Sequence, residues 1–310
     1  MSEQLKAHIA LFLVALIYGG NYTIAKEVMN NGYIQPIGFI LLRICTATVL
    51  FQLYFHWRIR ETVDRSDYLR FLLCAMFGVA INQISFFSGL EHTTPINASL
   101  IMTTTPILVL VSSALLIGEK ITWRKILGIA LGAAGAIQLI VLGKSVQFEQ
   151  AQLYGDLLVL VNAVSFAIYL VLVKSLMAKY HPITVISWVF PIGLVLALPF
   201  GWQELSLVNW SDFPPSIWLA VLYVLLCATV LAYFFNTYAL SIVQPSTVSI
   251  YIYLQPLLAS AIALIFAKDV LQMEKVLAGI LIFIGVYLVS IPSVEGRKAP
   301  KNVTNDNNQS

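Results

Sequence analysis

The residues best able to do chemistry here are neutral amides, hydroxyls and phenols set inside long apolar runs, and they gather around two prolines. Pro106 and Pro256 each come eleven residues after a proline, Pro95 or Pro245, that opens an apolar run. Eleven helical residues rise about 16 Å, roughly half a bilayer core, so both prolines fall near mid-span. A proline there removes one backbone hydrogen bond and displaces the carbonyl four residues earlier, which predicts breaks that free the carbonyls of Met102 and Ile252. Such paired breaks point to a transport site, although they serve equally as packing kinks. Polar side chains surround them at helical spacing: Asn97, Thr104 and Thr105 on the fourth run, and Thr247, Tyr251 and Gln255 on the ninth. The third and eighth runs add Asn82, Gln83 and Phe86, then Tyr233 and Asn236; the first and sixth add Asn21, then Asn162 and Tyr169. Singly, each is ordinary glue between membrane helices. Pooled, they predict a neutral, partly aromatic cavity for a small-molecule substrate.

Charge inside the runs is scarce. Arg43 is the sole cation well within one, and burial there is costly enough to make it a functional candidate. It could instead snorkel outward or bind a helix carboxyl end, and with no mid-span acidic partner the reading leans to a structural or gating role. Glu91, Glu119, Asp156, Asp269 and Glu274 all lie near run ends. A mid-span carboxylate is the usual proton or sodium carrier, so its absence argues for movement down the substrate's own gradient, or exchange. Cys45, Cys74 and Cys227 sit in apolar segments without metal-ligand spacing. Neither a metalloprotease helix, nor a nucleophile elbow, nor a phosphate-binding loop is present in the sequence. No enzyme activity, cofactor, metal or nucleic acid is expected.

The elements that must position these residues follow from composition. Of 310 residues, 59% are hydrophobic and 11% charged, with a mean hydropathy of +0.84, whereas soluble domains carry about 25% charged residues. Continuous apolar runs near 7–26, 36–56, 69–90, 95–117 and 123–142, then 153–174, 183–201, 215–238, 245–267 and 275–292, lack the alternation of barrel strands. They predict an all-α polytopic membrane protein of ten spans, with the lipid bilayer as its partner. With both termini cytoplasmic, thirteen Lys and Arg fall inside and four outside, the bias expected of membrane proteins. At an offset of 150, Pro95, Ser99, Pro106 and Gly135 match Pro245, Ser249, Pro256 and Gly285. Five spans per copy is odd, so the copies enter from opposite sides: inverted repeats at 1–142 and 153–292, a periplasmic linker at 143–152 and a disordered cytoplasmic tail at 293–310. Gly128, Gly132, Gly135, Gly279 and Gly285 predict close helix approach, placing the fifth and tenth spans in a scaffold or a homodimer face.

Taken together, Tyr18-Gly19-Gly20-Asn21 with Lys26, Pro36 and Arg43, Gly89-Leu90 before Pro95, Ala98, Pro106 and Gly118-Glu119 resemble the ten-helix EamA-type members of the drug/metabolite transporter superfamily. The second half carries Ala239-Leu240, Pro245, Ser249, Pro256 and Lys268-Asp269, where Asp stands in place of the more usual Glu. The resemblance implies a central cavity, peripheral fifth and tenth helices, and inner-membrane transport of amino acids or related metabolites, often outward. A lipid-linked sugar flippase subunit or a non-transporting interaction protein is the other expectation.

Overall fold

The structure, a computed structural model, describes residues 2–30, 32–141, 152–265 and 273–291. The expected linker except Gln152, the expected tail, and Lys144, Lys268 and Asp269 lie outside the described residues, as do the side chains of Lys26 and Pro95. All regular elements among the described residues are helical. Among the described residues, eight segments are long and apolar enough to cross a membrane.

The chain opens with α1 (Glu3–Asn30) and α2 (Pro36–Arg58). Next α3 (Tyr68–Ala75) and α4 (Ile81–His92) run through a π turn at Met76–Ala80 as one rod, Arg65–His92. Then come α5 (Pro95–Met102), α6 (Thr105–Ile117), α7 (Trp123–Val141), α8 (Leu153–Met177) and α9 (Pro182–Ser206). A second π stretch, Tyr223–Leu231, joins α10 (Pro215–Leu222) to α11 (Ala232–Ile242). Last are α12 (Pro245–Ile250), α13 (Leu254–Ile265) and α14 (Met273–Ser290). Pro36, Pro182, Pro215 and Pro245 open their helices, where the missing N–H costs nothing and the fixed φ suits the first turn. Gly118, at φ 66°, ends α6 in the left-handed conformation that glycine adopts without strain.

Exposure is inverted relative to a water-soluble fold. Leu115 is 80% exposed and Trp123 73%, whereas Arg43, Gln83 and Asn162 are 4%, 3% and 3% exposed. Large apolar side chains coat the outside and polar groups face one another within, as lipid requires.

Helix pairing is set by close backbone approaches at glycine. α4 lies antiparallel to α8, with a Cβ at Gly89 2.9 Å from the Gly155 carbonyl. Asn162 Nδ2 donates to the Asn82 carbonyl at 2.8 Å, and Ser165 Oγ to the Phe77 carbonyl at 2.6 Å. α2 lies antiparallel to α9: Gly38 N donates to Glu204 at 2.8 Å and Gln52 Nε2 to the Ser187 carbonyl at 2.6 Å. α7 and α14 close on Gly128, Gly132, Gly135 and Gly285. These glycines are spent on packing within the chain, a scaffold, and no residue of α7 or α14 lines the cavity described below.

The helix breaks have one further support. α5 stops at Met102 and α6 starts at Thr105, so the Thr103 carbonyl loses its helical donor and instead accepts from Tyr253 Oη at 2.9 Å. Tyr253, fully buried, belongs to the 3-10 turn Tyr251–Tyr253 between α12 and α13. Tyr253→Phe leaves that carbonyl unpaired away from water, so a stability loss of about 1–3 kcal/mol is expected. Thermal or denaturant unfolding of the purified protein in detergent measures it, and an unchanged midpoint would show that the bond contributes nothing.

Candidate functional site

A cavity of about 140 Å³ lies between the helices. α1 supplies a stripe, Leu11, Val14, Ala15, Tyr18 and Asn21, at the spacing of one helix face. α4 and α8, packed against each other, together contribute Asn82, Gln83 and Phe86, and Asn162, Phe166 and Tyr169. α11 contributes Tyr233, Asn236 and Thr237, and the two broken rods contribute Met102 and Ile252. The latter two are the residues whose carbonyls Pro106 and Pro256 are expected to displace. No Asp or Glu is among the lining residues, and Arg43 is their only Lys or Arg.

The π turns shape the wall. A π turn carries one extra residue and leaves carbonyls without their usual donors. At Met76–Ala80 these are met from other helices: Ser165 reaches the Phe77 carbonyl, and Tyr233 Oη donates to the Gly78 carbonyl at 3.3 Å. With its proton spent there, Tyr233 Oη accepts from Gln83 Nε2 at 3.3 Å. In the second π stretch Thr229 Oγ1 donates to the Val224 carbonyl at 2.8 Å and accepts from Arg43 Nε at 2.8 Å. The Arg43 guanidinium also lies over the Phe87 ring, 4.9 Å from its centroid, a favourable placement for a cation.

The sequence profile of the EamA-like transporter family matches residues 5–141 and again 153–291. The chain belongs to the EamA-like transporter family. It is a multi-pass membrane protein of a transporter family, not an enzyme family. An uncharacterized transporter of Archaeoglobus fulgidus is 27% identical, the match covering 92% of this chain and 97% of that one. The uncharacterized transporter YyaM of Bacillus subtilis is 23% identical, over 93% and 94%. Protein WALLS ARE THIN 1 of Arabidopsis thaliana is 23% identical, over 96% and 85%. A solved crystal structure shares the fold at a TM-score of 0.75 and 18% identity, covering 92% of this chain and 98% of that one.

Within this EamA-like fold the cavity gathers Asn21, Asn82, Gln83, Phe86, Asn162, Tyr169, Tyr233, Asn236, Tyr251 and Gln255, together with Arg43. Asn97, Thr104, Thr105 and Thr247 are placed elsewhere. Asn97, expected to share one space with Gln255, is 1% exposed and ties its Nδ2 to Gln152 at 3.2 Å near the start of α5. Thr104 turns back to the Ile101 carbonyl at 2.7 Å, and Thr105 and Thr247 are packed among helices. Pro106 and Pro256 stand in the first turns of α6 and α13, beside the cavity rather than on its wall. Sequence reasoning passed over Tyr18 as a lining group, although it precedes Asn21 by one turn, and Thr237, one turn after Tyr233. Both signals were visible as i, i+3 and i, i+4 neighbours of chosen residues.

Proposed function

We propose that this EamA-like protein carries a small polar metabolite, an amino acid or related compound, outward across the inner membrane by alternating access between two inverted five-helix repeats. The observation that carries the reading is a neutral, amide-rich cavity drawn from both profile-matched halves. Its support includes two contacts between residues 150 apart, Gln83 with Tyr233 and Thr103 with Tyr253. Residues one repeat apart can touch only near an axis relating the copies, and an antiparallel axis at a central site suits rocking of one half against the other. The α7–α14 contacts obey the same exchange, Gly128 with Gly285 and Gly135 with Ala278. Ten crossings are supported by α1 and by the rod from α12 through α13, which pack against each other alongside the eight apolar segments. Cytoplasmic termini rest on the Lys and Arg bias, and outward direction on the family resemblance. A flippase reading is weaker, because the lining residues offer only one Lys or Arg for a headgroup path.

The test compares metabolite release from cells with and without the protein, then uptake into proteoliposomes of whichever compound differs. Uptake above empty liposomes, unchanged when the proton gradient is collapsed, is expected. Absence of any release difference together with absence of uptake by folded protein would defeat the transport reading.

A further inference from the structure

We infer that Arg43 binds the anionic end of the substrate, and that the side-chain oxygens of Gln83 and Asn162 accept hydrogen bonds from its donor end, so the cavity selects a small zwitterion bearing a carboxylate. The inference deepens the proposed transport function and rests on it for the ligand being cargo.

The first observation is the state of the arginine. A guanidinium carries five N–H donors in a planar fork. One of them, Nε–H, is taken by Thr229, and the ring of Phe87 covers one face. Among the described residues no hydrogen bond to either Nη group and no carboxylate partner exists. Ion pairs among the described residues lie elsewhere, as with Lys125 and Glu119, Lys179 with Asp64 and Asp67, Arg70 with Asp67 and Lys6 with Glu3. A charge held out of water without a counter-ion is expensive, yet this one is buried and lines the cavity. An arriving carboxylate would take two parallel N–H bonds and restore neutrality.

Architecture alone gives no reason for the charge. On the repeat reading α9 is the counterpart of α2, and it contains no Lys, Arg or His between Pro182 and Ser206. One half of the fold is therefore built without a cation at this place.

The second observation concerns the opposite hydrogen-bonding need. Gln83 Nε2 donates to Tyr233 Oη, and Asn162 Nδ2 donates to the Asn82 carbonyl. One N–H of each amide is committed, which orients its oxygen as the acceptor end. Gln83 Oε1 and Asn162 Oδ1 have no hydrogen-bond partner among the described residues; both residues line the cavity at 3% exposure, and because the oxygens themselves are covered in this conformation, a small side-chain rotation must present them to a ligand. Buried acceptors without donors are rare because they forfeit their hydration. An ammonium or amide N–H of a ligand supplies what they lack, and Phe86, Phe166 and Tyr169 leave an apolar flank for its side chain.

The experiment uses purified full-length protein in detergent and the twenty proteinogenic amino acids, each beside its carboxamide, with ligand-induced thermal stabilisation as the readout. At least one acid is expected to bind, and its carboxamide, which lacks the anion, about tenfold to a hundredfold more weakly. Arg43→Gln should cut acid affinity by about the same factor and so narrow the gap between acid and carboxamide, and Arg43→Lys should recover part of the difference. Gln83→Leu should narrow the preference for that amino acid over its desamino acid. Should Arg43→Gln not fold, Arg43→Met, which removes the buried charge without adding a polar group, reads the same ratio, and the wild-type comparison stands alone. Equal binding of acid and carboxamide, or an acid preference that survives removal of Arg43, overturns the assignment. Binding of no amino acid also overturns it. Proteoliposome uptake of another metabolite would then leave the transport reading intact, and its absence would remove both.

Discussion

Alanine at Gly78 is expected to lower uptake by about tenfold to a hundredfold while leaving the protein folded. The added Cβ would fall 2.2 Å from Tyr169 Cδ2 and 2.5 Å from its Cε2, so the ring cannot stay. Tyr169 forms part of the cavity wall, and its free direction is into that space. The alternative is for α4 to lift away from α8, which Gly89 and Gly155 hold at backbone contact. Overpacking of this kind costs about 1–3 kcal/mol. The gain of about 1 kcal/mol in helix propensity from glycine to alanine offsets part of it, so the effect falls on the cavity more than on folding. Proteoliposome uptake together with the melting midpoint checks this. Adding Tyr169→Leu should restore part of the activity, because the smaller side chain vacates the contested volume. Wild-type uptake by the single variant would mean that the wall yields without consequence for the cargo.

Leucine at Gly285 should do the reverse, removing folded protein. A Cβ there meets the Gly128 carbonyl oxygen at 2.5 Å and the Gly132 nitrogen at 2.8 Å. Both are backbone atoms, and no side-chain rotation relieves them. α7 and α14 must separate, and within lipid their association depends on close packing of small residues rather than on exclusion of water. The loss should exceed the usual 1–3 kcal/mol of overpacking, seen as little recoverable protein after detergent extraction. Gly279→Ala is the control: its Cβ meets only the Leu257 side chain, at 3.2 Å, and a shift of that flexible group accommodates it. If Gly285→Leu were extracted and melted like wild type, the α7–α14 seam would not be what holds this face together.

The two variants differ because glycine does two jobs here. At Gly285 it lets two backbones touch; at Gly78 it makes room for a ring that shapes the site. The sequence pointed to the first, since Gly128, Gly132 and Gly135 fall at helical spacing on one apolar run and Gly285 lies on the other, although Gly279, chosen with them, meets only the Leu257 side chain. The second depends on which residue of α8 lies opposite, which no local pattern records.

The helices, their proline-opened starts and the positions of the breaks near Pro106 and Pro256 were determined by the sequence alone, because apolar length and proline stereochemistry act whatever the neighbours are. The rotation of each helix, and with it the membership of the cavity, was decided only by the tertiary structure. The π turns at Met76–Ala80 and Tyr223–Leu231 each shift the phase of every residue beyond them, so periodicity carried across them misjudges facing. Asn97 and Thr104 were grouped with Asn162 as polar side chains inside apolar runs, yet a polar side chain takes whichever partner the packed chain offers first: Gln152 for one and the Ile101 carbonyl for the other. Arg43 shows the same limit: its charge and the lack of a mid-span acid were legible in the sequence, while its place on the cavity wall, with Nε on Thr229 and the guanidinium over Phe87, is a property of the whole assembled bundle.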